Sequence, residues 1–153
     1  MNLNNEFVES KEEIEIESNY VPSEDEEYMN SKQLCYFRRR LLDWKSELLS
    51  ESQKVKEHLI TNNFNESDDT DRANVESDTF HELNNRDRKL KLLEKIDDAL
   101  KRIENGEYGY CENTGKEIGV KRLRARLVAT LCIEEQEMRE RKKRNYFYSG
   151  DVN

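Results

Sequence analysis

The strongest constraint on the fold is a pair of apolar stripes with helical spacing, which flank one short acidic segment. That segment, residues 64–73, reads FNESDDTDRA. Apolar residues recur at steps of three and four on both sides of it, with one gap at Asp87: Leu34, Phe37, Leu41, Trp44 and Leu48 upstream, and Phe80, Leu83, Leu90, Leu93, Ile96, Leu100 and Ile103 downstream. This spacing is typical of a coiled-coil seam. We therefore predict a mostly α-helical protein built on a long antiparallel coiled-coil hairpin, with its tip near residues 64–73.

Composition favours an elongated molecule over a large round core. Hydrophobic residues make up 34% of the 153 residues and charged residues 39%, and the net charge is −8. An acidic protein is poorly suited to coating nucleic acid, which requires a basic surface. The sequence has no apolar run of about 18 residues and no secretory signal, so we expect a cytoplasmic protein with no membrane partner. The odd number of cysteines, three, does not suggest a disulfide framework.

Charge and turn residues divide the chain into four parts. Residues 1–28 form an acidic N-terminal arm, with ten Asp and Glu against one Lys. We predict the coiled-coil hairpin over residues 29–105, a degenerate zinc-ribbon-like module over 106–135, and a C-terminal helix and tail over 136–153. The arm is either mobile or ordered against the rest of the fold or a basic partner.

The acidic segment between the two stripes has two interpretations. Capping of the second helix by Thr70 or Asp71 explains one or two of its carboxylates. The others form either a solvated loop or a probe, which a stiff rod carries to a cationic or metal-containing site in a partner.

The module at 106–135 has the outline of a zinc ribbon, with CENT at Cys111 and CIEE at Cys132. Thr114 and Glu135 stand where a C-x-x-C pair has its second cysteine. Threonine is a very poor zinc ligand, and two thiolates with one carboxylate make an inferior site. We therefore expect that zinc is not bound, that no cofactor is required, and that packing holds the module together. A disulfide between Cys111 and Cys132 is compatible with the spacing but disfavoured by a reducing compartment.

Basic residues concentrate near the C-terminus. They are Lys121, Arg122, Arg124, Arg126, Arg139, Arg141, Lys142, Lys143 and Arg144. A positive face of this kind either binds phosphates or balances the charge of the acidic arm.

Several runs resemble the DksA/TraR zinc-finger family of bacterial transcription factors. They are EEYMN at 26–30, FRRRLLDW at 37–44, NRDRKLKLLEKI at 85–96 and ALKRIENGEYGYCENTGKEIGVKRLRAR at 99–126. The resemblance spans roughly residues 24–147. It implies a coiled-coil hairpin on a globular ribbon with a C-terminal helix. It also implies a regulator that binds RNA polymerase directly, inserts the hairpin into the secondary channel, and destabilises open promoter complexes with guanosine tetraphosphate.

The resemblance also implies roles for individual residues. Its tip pattern falls on Asp68, Asp71 and Ala73, and its polymerase-contacting basic positions fall on Arg88 and Lys91. Its nucleotide-facing positions fall on Leu92, Lys95 and Arg126. The sequence departs from the family pattern at Asp69, Thr114, Leu127, Glu135 and Gln136.

Three classes of function are compatible with the sequence, and the polymerase regulator is the leading one. It implies a monomer without sequence-specific DNA binding. The alternatives are a zinc-ribbon-type nucleic-acid-binding protein and a scaffold coiled-coil protein. We do not expect an enzyme, because His58 and His81 have no nucleophile nearby and the sequence contains no phosphate-binding loop.

Overall fold

Four helices form the part of the protein that its computed structural model describes, which is residues 19–62 and 69–149. Within these ranges the side chains of residues 55, 58–62, 69–76 and 147–149 are not described. The helices are α1 (Ser31–Asn62), α2 (Asp69–Asn105), α3 (Val120–Ala125) and α4 (Ile133–Ser149). The described ranges contain no β-strand, only an isolated antiparallel bridge between Tyr110 and Glu117. The predicted mostly helical fold is therefore confirmed.

The two long helices pack against each other as an antiparallel pair. Lys45 Nζ on α1 lies 2.6 Å from Asp97 Oδ1 on α2, and Lys89 Nζ on α2 lies 3.1 Å from Glu51 Oε2 on α1. As residue numbers rise along α1, the numbers of the facing residues on α2 fall, so the two helices are antiparallel, as the predicted hairpin requires. The second helix begins at Asp69, so residues 69–73 of the predicted tip are helical.

Local signals explain where the long helices begin and end. Asn30 caps α1, since its side-chain Oδ1 accepts a hydrogen bond of 2.9 Å from the Gln33 N–H. At the C-terminal end of α2, Gly106 adopts φ +75° directly after the helix, and the N–H groups of Glu107 and Tyr108 donate to the Arg102 carbonyl. Glycine ends helices in this way because it has no Cβ to clash.

The seam of the hairpin is closed near its base and open further out. Phe37, Leu41, Leu48, Ile96 and Ala99 are buried. By contrast, Phe80, Leu83 and Leu90, which we expected in the seam, are 64%, 54% and 50% exposed. Leu90 lies next to Lys89, which pairs with Glu51, in a part of the hairpin where residues 50–54 of α1 are all polar. Leu90 therefore lacks apolar neighbours on this stretch of α1.

The C-terminal module packs on the base of the hairpin through one aromatic contact. Tyr108 is buried, its ring centre lies 5.5 Å from that of Phe37, and its hydroxyl donates 2.7 Å to the Leu127 carbonyl. Burial raises the pKa of this hydroxyl well above its ordinary value. The other buried apolar residues of the module extend the same core: Cys111, Ile118, Val120, Leu123, Ala129, Leu131 and Cys132. None of the described helices has an apolar stretch long enough to cross a bilayer.

Residues 19–30, which we call the N-terminal clamp, connect the start of α1 to the module. Tyr28 lies between two distant turns: its hydroxyl donates 2.6 Å to the Gly109 carbonyl and accepts 3.0 Å from the Gly119 N–H. Glu24 forms an ion pair of 2.9 Å with Lys121 on α3. The described part of the predicted acidic arm is therefore ordered against the fold.

Candidate functional site

Backbone hydrogen bonds hold both buried cysteines of the module, Cys111 in a tight turn and Cys132 directly before α4. The Cys111 N–H donates 2.8 Å to the Lys116 carbonyl, and the Gly115 N–H donates 2.9 Å back to the Cys111 carbonyl. The carbonyl of Cys132 accepts 3.0 Å from the Gln136 N–H in the first turn of α4. Thr114 Oγ1 lies 3.8 Å from Cys132 Sγ, so the two C-x-x segments meet as the sequence predicted.

The surroundings of Cys111 favour its thiolate. Burial by itself would raise the pKa of this thiol. The opposing effect of hydrogen bonds from the Thr114 side chain and from the backbone N–H groups of Cys132, Thr114 and Asn113 is stronger, and the pKa is lowered to about 6. A thiolate is the form of cysteine that binds metals and reacts as a nucleophile.

Glu135, at the second position of CIEE, is buried and held by neighbouring side chains. Its Oε1 accepts a hydrogen bond of 2.7 Å from Asn113 Nδ2 and lies 3.7 Å from Arg139 Nε. The structure therefore brings Cys111, Thr114, Cys132 and Glu135 to one small region. Among the described residues, no group of three or more His, Cys, Asp or Glu side chains is placed to hold a metal ion.

The basic residues assigned to a partner lie on the outward part of α2. Arg88 and Lys91 are exposed. Arg88 also lines an open groove of about 840 Å³ between α1 and α2, with Lys56 and Lys89 among the other lining residues. These side chains are accessible from outside the hairpin, as a contact with a large partner requires.

The residues assigned to a nucleotide lie on two different elements. Leu92 is half-buried and Lys95 is exposed on α2, while Arg126 is exposed directly after α3. Among the described residues, no hydrogen bond or ion pair joins Lys95 to Arg126. Both cations are free to contact a ligand, but the chain on its own does not gather them into a closed pocket.

The tip residues fall mostly outside what the structure describes. Asp68 lies outside the described residues. Asp71 and Ala73 lie in the first turns of α2, and their side chains are likewise not described. Their assigned role therefore remains a prediction.

Sequence reasoning left open whether the arm is ordered and missed the contacts that hold the N-terminal clamp. Gln33, on α1 beside the clamp, is fully buried; its Nε2 donates to the Ser23 carbonyl and to Glu26, and its Oε1 accepts from the Met29 N–H. The run EEYMN contained the signal, since it carries Tyr28, but nothing in the sequence showed that its partners lie more than 80 positions away.

Two family models match consecutive parts of the chain. Residues 33–103 match the N-terminal domain of DnaK suppressor protein DksA, and residues 106–141 match the prokaryotic dksA/traR C4-type zinc finger. The second match overturns our expectation that zinc is not bound, because it points to zinc binding. Our expectation was based only on the donor groups of Cys111, Thr114, Cys132 and Glu135, whereas the family pattern extends over the whole module. Of the donors present, the thiols of Cys111 and Cys132 fit a zinc site, and they are two of the four that a C4 site uses.

Similar proteins align over most of the chain. The RNA polymerase-binding transcription factor DksA of Caulobacter vibrioides (strain NA1000 / CB15N) is 52% identical over 127 residues, which cover 83% of this chain and 89% of the relative. The protein of the same name from Escherichia coli (strain K12) is 43% identical over 121 residues, which cover 79% of this chain and 80% of the relative.

A solved structure of transcription factor DksA2 from Pseudomonas aeruginosa matches with a TM-score of 0.71 and 39% identity, and covers 76% of this chain and 90% of its own. These matches extend over the hairpin and the module together and agree with the helix order described above. The chain belongs to the DksA family.

Proposed function

We propose that this chain is a non-catalytic regulator of transcription that binds bacterial RNA polymerase directly. The observation that supports this most strongly is the 52% identity, over 83% of the chain, to a protein named RNA polymerase-binding transcription factor. The chain acts in the cytoplasm, as a monomer, without reading a DNA sequence itself. Its promoter specificity arises from how each open complex responds.

The hairpin suits a role in reaching into a partner. At about 1.5 Å per residue, the 32 residues of α1 form a rod of roughly 48 Å. We propose that this rod enters the secondary channel of the polymerase and brings Asp68, Asp71 and Ala73 close to the catalytic region, where they destabilise the open complex. Arg88 and Lys91 contact the polymerase on the way, which their exposure on α2 supports.

The variant Asp71→Asn tests the role of the tip. We expect it to lose inhibition of a ribosomal promoter in a purified transcription assay, while its affinity for polymerase changes less than about twofold. Asp78→Asn is the matched control, because it makes the same chemical change about two turns further along α2, at an exposed position. Full inhibition by Asp71→Asn would refute the tip mechanism. If the wild-type chain does not bind purified polymerase, the proposed function itself is refuted.

We further propose that guanosine tetraphosphate binds between the chain and the polymerase, at Leu92, Lys95 and Arg126. The two cations are exposed and suited to phosphate oxygens. Lys95→Ala and Arg126→Ala should each weaken nucleotide binding to the complex at least tenfold. The control is Lys101→Ala, an exposed lysine of α2 that pairs with Asp98 at 3.6 Å. Equal binding by all four proteins would show that the nucleotide site lies elsewhere.

A further inference from the structure

The first turns of α1 expose cations that nothing in the described structure neutralises. Arg38, Arg39 and Arg40 are consecutive and all exposed. None of the ion pairs or hydrogen bonds found among the described residues involves any of them, whereas Lys116 and Lys121 of the module are both in ion pairs. An uncovered group of arginines is a natural site for an anionic partner.

Helix geometry divides these three arginines between two sides of α1. With 3.6 residues per turn, Arg39 and Arg40 lie one turn beyond Tyr36, about 60° and 40° to either side of it, whereas Arg38 lies about 160° away. Lys32 lies one turn before Tyr36 on the same side. Asp43 and Glu47 follow on this side further along, so the positive surface is limited to the turns around Tyr36.

The acidic arm leaves the described structure next to this surface. The ring of Tyr20 packs edge-on against that of Tyr36, with ring centres 6.2 Å apart. Residues 12–17, only a few positions before Tyr20, read EEIEIE. An extended chain spans at most about 3.3–3.6 Å per residue, so Glu17 lies within roughly 10 Å of Tyr20 and Glu15 within roughly 17 Å. Along the axis of α1, Arg40 lies about 6 Å from Tyr36.

We propose that the acidic stretch Glu12–Glu17 of this chain docks on its own Arg39 and Arg40, on the Tyr36 side of α1. Charge complementarity and the short tether both favour this partner, since a tether of a few residues gives an effective concentration in the mM range. Docking covers the arginines and keeps this side of the hairpin from binding polyanions such as nucleic acid. This inference does not rest on the proposed binding to polymerase.

The direct test observes the arginine side chains by NMR in the full-length chain. Neutralising the arm by E12Q/E13Q/E15Q/E17Q should shift the Nε–Hε resonances of Arg39 and Arg40 and leave that of Arg38 in place. High salt should reproduce the shift in the wild-type chain, because exposed charges are screened within about 8 Å at physiological ionic strength. Unchanged resonances, or an equal shift at Arg38, would overturn the proposal. A shift that depends on protein concentration would overturn its intramolecular form, since it would mean docking on a second copy.

A second test measures binding to a fluorescent oligothymidine by anisotropy at low salt. Neutralising the arm should tighten binding, partly through net charge alone. We expect that gain to be at least threefold smaller in an R39Q/R40Q background, where no covered arginines are released. It should be fully retained in the R38Q background, which is the matched control on the other side of the helix. Equal gains in all three backgrounds would show a general charge effect and no docking.

Discussion

The base of the hairpin and its outward part differ in how their apolar residues are used. At the base, Phe37 and Ile96 are fully buried, and Tyr108 of the module closes the same core. On the outward part of α2, Phe80 and Leu83 have the same helical spacing but remain more than half exposed. The difference shows that helical spacing identifies one side of a helix but does not by itself ensure that this side is buried.

The two regions also differ in their polar contacts. Around the base, buried or half-buried hydrogen bonds hold the clamp: Gln33 joins it to α1, and Tyr28 joins it to the module. Further out, the cross-helix contact of Lys89 with Glu51 is an exposed ion pair of small energetic weight. Local opening should therefore start at the outward part, while the base and the module unfold together.

The largest predicted contrast is between two phenylalanines. Phe37→Ala should cost about 3–5 kcal/mol in the free energy of unfolding, since it empties a fully buried site. Phe80→Ala should change it by no more than about 0.5 kcal/mol, because the ring is 64% exposed. Urea unfolding measures both. A cost of several kcal/mol for Phe80→Ala would mean that the outward seam is closed in solution and would remove the contrast.

The sequence was sufficient for what depends on local pattern. Steps of three and four predicted both long helices, and the C-terminal helix, predicted within residues 136–153, runs from Ile133 to Ser149. Contacts between distant segments were beyond it. The role of Tyr28, for example, depends on Gly109 and Gly119.

The site was predictable to a lesser extent. The pairing of the two C-x-x segments followed from spacing, and Thr114 does lie next to Cys132. The hydrogen bonds that lower the pKa of Cys111 arise from turn geometry that no motif reveals. The conclusion on zinc was wrong because it weighed four residues, whereas the family pattern is carried by the whole module.

The second prediction concerns a double variant that should stabilise the module and leave the outward part of the hairpin unchanged. The double variant T114C/E135C completes four cysteines, so zinc affinity should rise at least about a hundredfold over the wild-type chain, roughly 2.7 kcal/mol. Competition with a chromophoric chelator measures it. Adding Cys111→Ser should reverse the gain. Hydrogen exchange should slow on adding zinc in the module but not around Phe80. Equal affinities for the variant and the wild type would show that Thr114 and Glu135 do not occupy ligand positions.

The third prediction concerns the contact between clamp and module. Gly109 has φ +91°, and a Cβ there would lie 2.8 Å from both Cγ and Sδ of Met29. Gly109→Ala should therefore cost about 2–3 kcal/mol, combining backbone strain with displacement of the Met29 side chain. Gly106→Ala is the control, since its φ is also positive at +75° but its Cβ meets nothing within 4 Å. It should cost only about 1 kcal/mol. Equal costs in thermal unfolding would mean that the clamp does not press on Gly109.

The smallest predicted effect is the pH dependence of the hydrogen bond from Tyr20 to Glu26. Burial and this bond raise the pKa of Tyr20 to about 12, and the bond is the main cause that lowers the pKa of Glu26 below its ordinary 4.5. A carboxyl with a lowered pKa contributes stability above its unfolded pKa and loses it as the pH falls through the folded value. Tyr20→Phe should therefore destabilise the protein slightly at neutral pH, and the difference from wild type should shrink as the pH falls below 4.5 and vanish once the pH is below the folded pKa of Glu26.

Tyr36→Phe is the control for this prediction, because among the described residues its hydroxyl makes no hydrogen bond while its ring packs on Tyr20. Its effect should be smaller and constant with pH. A constant difference for Tyr20→Phe across the acid range would show that ring packing alone fastens the clamp. A difference that disappears in acid would instead show that an ionised Glu26 helps to hold residues 19–30 in place.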